Sequence, residues 1–132
     1  MKWFLLWLGL GVVAVAGAAD AGAAKAARVE QLKKDFPRAL APGAVEKMHP
    51  VARECFERFA KLAEELQPAQ LSKQSVRLAA AVDRELLAAE VAARNGENPF
   101  GAAGRSAARF NARWLREKVS PWVRRVASEA RR

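Results

Sequence analysis

The chain has no tyrosine, one cysteine and one histidine in 132 residues, and each shortage removes a class of chemistry. A single cysteine, Cys55, makes no internal disulfide, so no covalent framework holds the fold. It reads as a small buried apolar side chain, and it lies too far from the first apolar run to be a lipid-attachment site. The one histidine, His49, has no Cys/His cluster around it and so no zinc-type ligand spacing. Beside Pro50 it reads as a helix-start or surface residue. Cys55 and His49 are six positions apart, which is not a helical neighbour spacing, and no nucleophile–base set emerges. Strand-like alternation is also missing. Gly96, Gly101 and Gly104 follow no strand and precede no phosphate-loop lysine, which argues against nucleotide binding. Glu46, Glu54, Glu57, Glu64, Glu65, Asp83, Glu85 and Glu90 alternate with basic residues, as an ion-pair surface does. The expectation is a protein that is not an enzyme, with no cofactor and no metal site.

What is present is alanine, arginine and one greasy opening. From Trp3 to Ala19 no charge interrupts an apolar run that begins with bulky residues and ends with small ones. Lys2 precedes it, and Ala14-Val15-Ala16 and Ala16-Gly17-Ala18 offer Ala-x-Ala sites, the layout of a cleavable secretory leader. The run also sits at the lower length limit for a spanning helix, about 17 residues, with Trp3 and Trp7 placed as interfacial anchors. Cleaved leader, exported anchor and cytoplasm-facing anchor are thus three readings of residues 1–19, and a helix of a soluble core is the fourth. Lys25, Arg28, Lys33 and Lys34 beyond the run favour the cytoplasm-facing orientation if the helix is retained. The leader and the Ala/Arg-rich composition point to a bacterial envelope protein, periplasmic or secreted, or alternatively anchored in the inner membrane.

Beyond the leader, residues 20–43 read as a flexible or weakly helical linker. Val29, Leu32 and Phe36 share a face, Phe36-Pro37 ends it, and 37–43 reads as a hinge. Residues 44–132 read as the helical domain. A first helix, from Ala44 or Pro50 to Leu66, carries Ala52, Cys55, Phe59, Leu62 and Leu66 at three-four spacing. Glu54→Arg58 and Glu57→Lys61 fall at i,i+4 as favourable pairs. A second helix, from Pro68 or Ser72 to Arg94, carries two stripes: Leu71, Leu78, Val82, Leu86 and Ala89, and beside them Val76, Ala80, Leu87 and Val91. So broad a face predicts a middle helix contacted from two sides. Asn95-Gly96 stops it. A third helix is expected from Arg105 to Val119, then a kink at Ser120-Pro121, read as an N-cap and a first-turn proline. The fold class expected is all-α: a small bundle of three main amphipathic helices with a kinked basic C-terminal helix, preceded by the N-terminal apolar helix.

The formal net charge of +9 is concentrated at the end. Residues 1–43 carry +3, residues 44–98 carry −1 and residues 105–132 carry +7. In that tail Arg105, Arg109, Arg113 and Arg116 recur at helical spacing, and Arg124 and Arg125 follow in a terminal cluster with Arg131 and Arg132. Phe110, Trp114, Leu115, Val119, Trp122, Val123 and Val126 supply the apolar counterpart. A basic amphipathic helix carrying tryptophan suits an anionic membrane surface or an acidic envelope partner. Arginine also fits nucleic-acid phosphate, but no recognised nucleic-acid motif accompanies it. The six residues Arg105, Arg109, Arg113, Arg116, Arg124 and Arg125 are the expected contact set.

Two resemblances are carried by short features. Leu66-Gln67-Pro68-Ala69-Gln70 resembles, over five residues and without the threonine, the Leu-Thr-x-x-Gln turn of small basic helical periplasmic chaperones. The layout of one apolar segment followed by helices is similar to that of phage lysis proteins of the spanin type, although Pro37, Pro42, Pro68 and Pro99 interrupt what would be their long helix. The first implies a periplasmic chaperone and the second a membrane-tethered lysis or envelope-accessory protein with its leader retained; neither family is assigned.

Overall fold

The computed structural model describes residues 20–38, 44–95 and 101–132. The leader, most of the expected hinge and the Asn95-Gly96 stop beyond Asn95 lie outside the described residues. Among the described residues the chain is all helical, with no strand, and four helical rods pack together. None of these helices is long and apolar enough to cross a membrane.

Residues 20–34 form helix α1. A single turn, α2 (Ala44–Lys47), precedes α3 (Pro50–Glu64). A short 3-10 turn, Pro68–Gln70, leads into the long α4 (Leu71–Asn95). Helix α5 (Gly101–Trp114) passes through a π-helical turn (Leu115–Val119) into α6 (Ser120–Ala130). Helix α4 packs along both α5 and α6, and α3 packs on α5.

The start of α3 follows from its sequence. Pro50 lacks an N–H that a first helical turn would leave unpaired, and His49 Nδ1 accepts the Val51 N–H at 3.4 Å. Arg53 ties α2 to α3 by donating to the Val45 carbonyl at 2.9 Å and the Met48 carbonyl at 3.3 Å. The α3–α4 turn is closed by one side chain: Gln74 accepts from the Gln67 N–H at 2.9 Å and donates to the Glu65 carbonyl at 2.8 Å.

Three expectations are corrected. Residues 20–38, part of the 20–43 read as a flexible or weakly helical linker, join the bundle: Val29, Leu32 and Phe36 are buried in the common core. The reason lies in the aromatics of the far end. Phe36 meets Trp122 edge-on at 5.1 Å between ring centroids, Trp114 edge-on at 6.1 Å and Phe56 at 6.3 Å. Trp122 Nε1 donates to the Leu32 carbonyl at 2.8 Å, and Trp114 Nε1 donates to the Pro37 carbonyl at 3.3 Å. Trp122 thereby satisfies a carbonyl in the last turn of α1 that has no intrahelical partner, and Trp114 holds the segment that follows the helix.

The second correction concerns Ser120-Pro121. Ser120 is no N-cap; it is helical at φ −57°, ψ −45°, and its N–H reaches back to the Leu115 carbonyl. In a regular α-helix the Pro121 ring would press on the Glu117 carbonyl, four residues back. The wider i→i+5 turn makes room for it, so helical hydrogen bonding runs on through the junction. The third correction is the second stripe of α4. Val76 is 70% exposed, Leu87 62% and Val91 40%, while Leu71, Leu78 and Val82 are buried. Among the described residues the bundle covers one side of α4 only.

Inter-helix ion pairs close the seams. Arg28 pairs with Glu129, and Arg125 with Asp35 at 3.2 Å, so α1 lies antiparallel to α6. Arg58 joins α3 to Glu85 of α4, and Arg38 reaches Glu64 at 3.4 Å.

Candidate anion-binding groove

The C-terminal end of α4 and the C-terminal half of α5 lie side by side, with alanine where they meet: Ala93 on one helix and Ala112 on the other. Small side chains there leave a recess of about 390 Å³, and longer ones form its walls: Arg94 from α4, Arg109 and Arg113 from α5, and Arg116 from the π turn. Glu90 is the one carboxylate in the lining. Glu90 pairs with Arg116 across the seam and stands 4.0 Å from Arg94. Arg113 reaches Glu117 at 3.4 Å along its own helix. Among the described residues no carboxylate lies within ion-pair distance of Arg109.

Four guanidinium groups against one carboxylate leave the recess strongly positive. The Arg94 and Arg113 side chains are 74% and 78% exposed, so both are free to turn toward a ligand at little cost in desolvation. A guanidinium presents planar paired donors that match phosphate, sulfate or carboxylate oxygens two at a time. Glu90 fixes Arg116, so the recess also has one pre-positioned wall.

Three of the six expected arginines line this groove. Arg109, Arg113 and Arg116 come together in the groove. Arg105 is half-buried in the first turns of α5, and it is not part of the groove lining. Arg124 and Arg125 lie on α6, with Arg125 turned to Asp35 of α1. Arg94 and Glu90 are the residues that sequence reasoning left out of the site. Their i,i+4 spacing was visible; that their turn of α4 faces Arg116, 26 positions away from Glu90, was not.

Cys55 adds no reactive centre beside the groove. It is buried in the aromatic core, and burial pushes its thiol up to about 11, with Arg58 lowering it and Glu54 raising it. At neutral pH it is a protonated apolar side chain.

The fold and groove together define a class: a helical bundle with a cationic cleft between two of its rods. No protein-family model matches the chain, and neither a curated protein nor a solved structure matches it.

Proposed function

We propose that the protein is a non-enzymatic helical module of the bacterial envelope that binds an anionic partner through the Arg94–Arg109–Arg113–Arg116 groove. The partner class is a phosphate-bearing surface, with lipid headgroups first. In this reading Trp3–Ala19 brings the chain to or across the inner membrane, so that the groove works next to anionic lipid. The observation that carries the proposal is four arginines, from α4, α5 and the π turn, around one recess whose lining holds a single carboxylate.

Arg109→Gln with Arg113→Gln removes the two groove guanidinium groups that α5 supplies, neither of which another helix holds. A basic residue near an anionic surface contributes about 1 kcal/mol, so the double variant should bind phosphatidylglycerol vesicles about 30-fold more weakly than wild type. Arg124→Gln with Arg125→Gln changes the net charge equally, yet lies outside the groove and should cost less than about 3-fold. Vesicle co-sedimentation at low and high salt measures both. Equal losses from the two double variants would reduce the groove to general positive charge, and no loss from the first would refute it. Intact mass after cell fractionation tests the role of the leader: a product beginning near Ala19 marks cleavage, and full-length chain in the membrane marks an anchor.

A further inference from the structure

A second recess, of about 610 Å³, opens on the other flank of α5. Arg113 stands between the two and is the one side chain that lines both. The apolar lining of the second recess is Pro37, Phe110 and Trp114. Its charged lining is Arg38, Arg113 and Lys118, with Glu117 the one carboxylate. Trp114 Nε1 is spent on the Pro37 carbonyl, and Phe36 and Phe59 brace the indole edge-on from the core. The recess therefore meets a fixed ring whose one polar atom is already taken. Phe110, one turn away, is exposed.

Charge and apolar surface are separated along this flank. Phe110, Trp114 and Lys118 follow at intervals of four, a track about 12 Å long with the cation at its C-terminal end. Past Phe110 in the other direction the track stays apolar. Phe110 also borders a recess of about 320 Å³ lined by Met48, Ala52, Ala103 and Ala107, with His49 and Ser106 and with no lysine, arginine or carboxylate. At the charged end Arg113 reaches Glu117 at 3.4 Å, and Arg38 reaches Glu64, outside the recess, also at 3.4 Å. Among the described residues Lys118 has no ion-pair partner.

We propose that this track binds a single-chain amphiphile with a small anionic head. The alkyl chain lies over Trp114 and Phe110, and the head, a carboxylate or a phosphate, meets Lys118 and Arg38. Charge selects the head, since three cations stand against one carboxylate. The uncharged track selects the chain. A bare anion would leave Phe110 uncovered, and a compact aromatic acid would leave the Ala103 and Ala107 end unfilled. A chain that spans an apolar pocket and ends at a few convergent polar groups is how small-ligand sites are generally built. The site does not rest on the groove: Arg38, Phe110, Trp114 and Lys118 line this recess and not the other.

Photolabelling of the full chain in phosphatidylcholine vesicles reads the site directly. The probe is a dodecanoate analogue with a diazirine in mid-chain, and labelled residues are mapped by peptide mass. Label should fall within residues 106–118. Dodecanoate or dodecyl phosphate, the stronger of which identifies the head, should compete at least about 10-fold better than dodecanol. Each methylene withdrawn from water is worth up to about fourfold, so dodecanoate should compete at least about 30-fold better than octanoate. Arg38→Gln with Lys118→Gln should cut the label at least about 10-fold, and Phe110→Gln about as much. Arg124→Gln with Arg131→Gln removes equal charge outside the recess and should change it less than about 2-fold. All these positions are exposed, and an unchanged thermal melt of each variant excludes unfolding as the cause. Label confined to residues 1–19 or to the face of α4 that carries Val76 and Val91, dodecanol competing as well as the two anions, or equal losses from the two double variants would each overturn the proposal. Phosphatidylglycerol binding by the groove is scored separately, since neither Arg38 nor Lys118 lines it.

Discussion

Cys55 shows how much a residue's chemistry depends on its surroundings. It lies on the inner face of α3 beside Phe56 and Phe59, and the loss of hydration disfavours its thiolate. Its pKa is about 11 in the folded chain against an ordinary value near 9.0. Below pH 9 the thiol is protonated folded and unfolded, and it contributes no pH dependence. As the pH rises from 9 toward 11, the unfolded chain loses the proton and the folded chain keeps it, so the folded state is progressively disfavoured. The stability advantage of wild type over Cys55→Ala should shrink by up to about 3 kcal/mol across that window, as measured by urea titration at each pH. At pH 8 a disulfide reagent should modify the native thiol at least about 100-fold more slowly than the unfolded one; comparable rates would mean that the core opens readily. The arginines make the same point. Arg109, Arg113 and Arg116 are equivalent letters at helical spacing, yet Arg116 is held by Glu90, Arg113 reaches only along its own helix, and Arg109 is unpaired among the described residues.

At the scale of elements, the most informative part is the junction of α1 with the α5–α6 rod. Phe36 enters a cage of Phe56, Trp114 and Trp122. Phe36→Ala should cost about 3–5 kcal/mol, the usual range for emptying a large aromatic site. Trp122→Phe should cost about 1–3 kcal/mol, because the buried Leu32 carbonyl loses its donor. Both are read from urea unfolding followed by circular dichroism, and a cost below 1 kcal/mol for Phe36→Ala would mean that α1 merely rests on the bundle. The Val29, Leu32 and Phe36 face was legible in the sequence. Its membership of the core was not, because the two indoles it meets lie about 80–90 positions away. The Pro121 site is a similar case: proline after serine signals a helix start, but a π turn also accommodates it, and Val119, Trp122 and Val126 on either side of it are all buried in one core.

For the whole molecule, stability resides in the aromatic and aliphatic core rather than in its ion pairs. Exposed pairs contribute about 0–1 kcal/mol each, whereas the core joins α1, α3, α4 and α6 around Phe59, Leu66, Leu115 and Trp122. A chain beginning at Ala19 retains residues 20–34 of α1 and should melt within about 3 °C of the full chain. A chain beginning at Ala44 loses Val29, Leu32 and Phe36 from the core and should show no cooperative transition. Thermal scans of the two forms decide this, and a cooperative melt of the shorter one would make residues 20–43 a dispensable linker after all.

The sequence by itself determined the all-helical class, the α3 and α4 spans to within a few residues, and the concentration of positive charge at the end. These follow from local rules: periodicity, proline placement and composition act over a few turns. Tertiary structure alone decided that α1 is core, that one stripe of α4 is uncovered, and which arginines share a recess. Those outcomes depend on contacts between residues tens of positions apart, and local spacing shows which residues share a face without showing what that face meets.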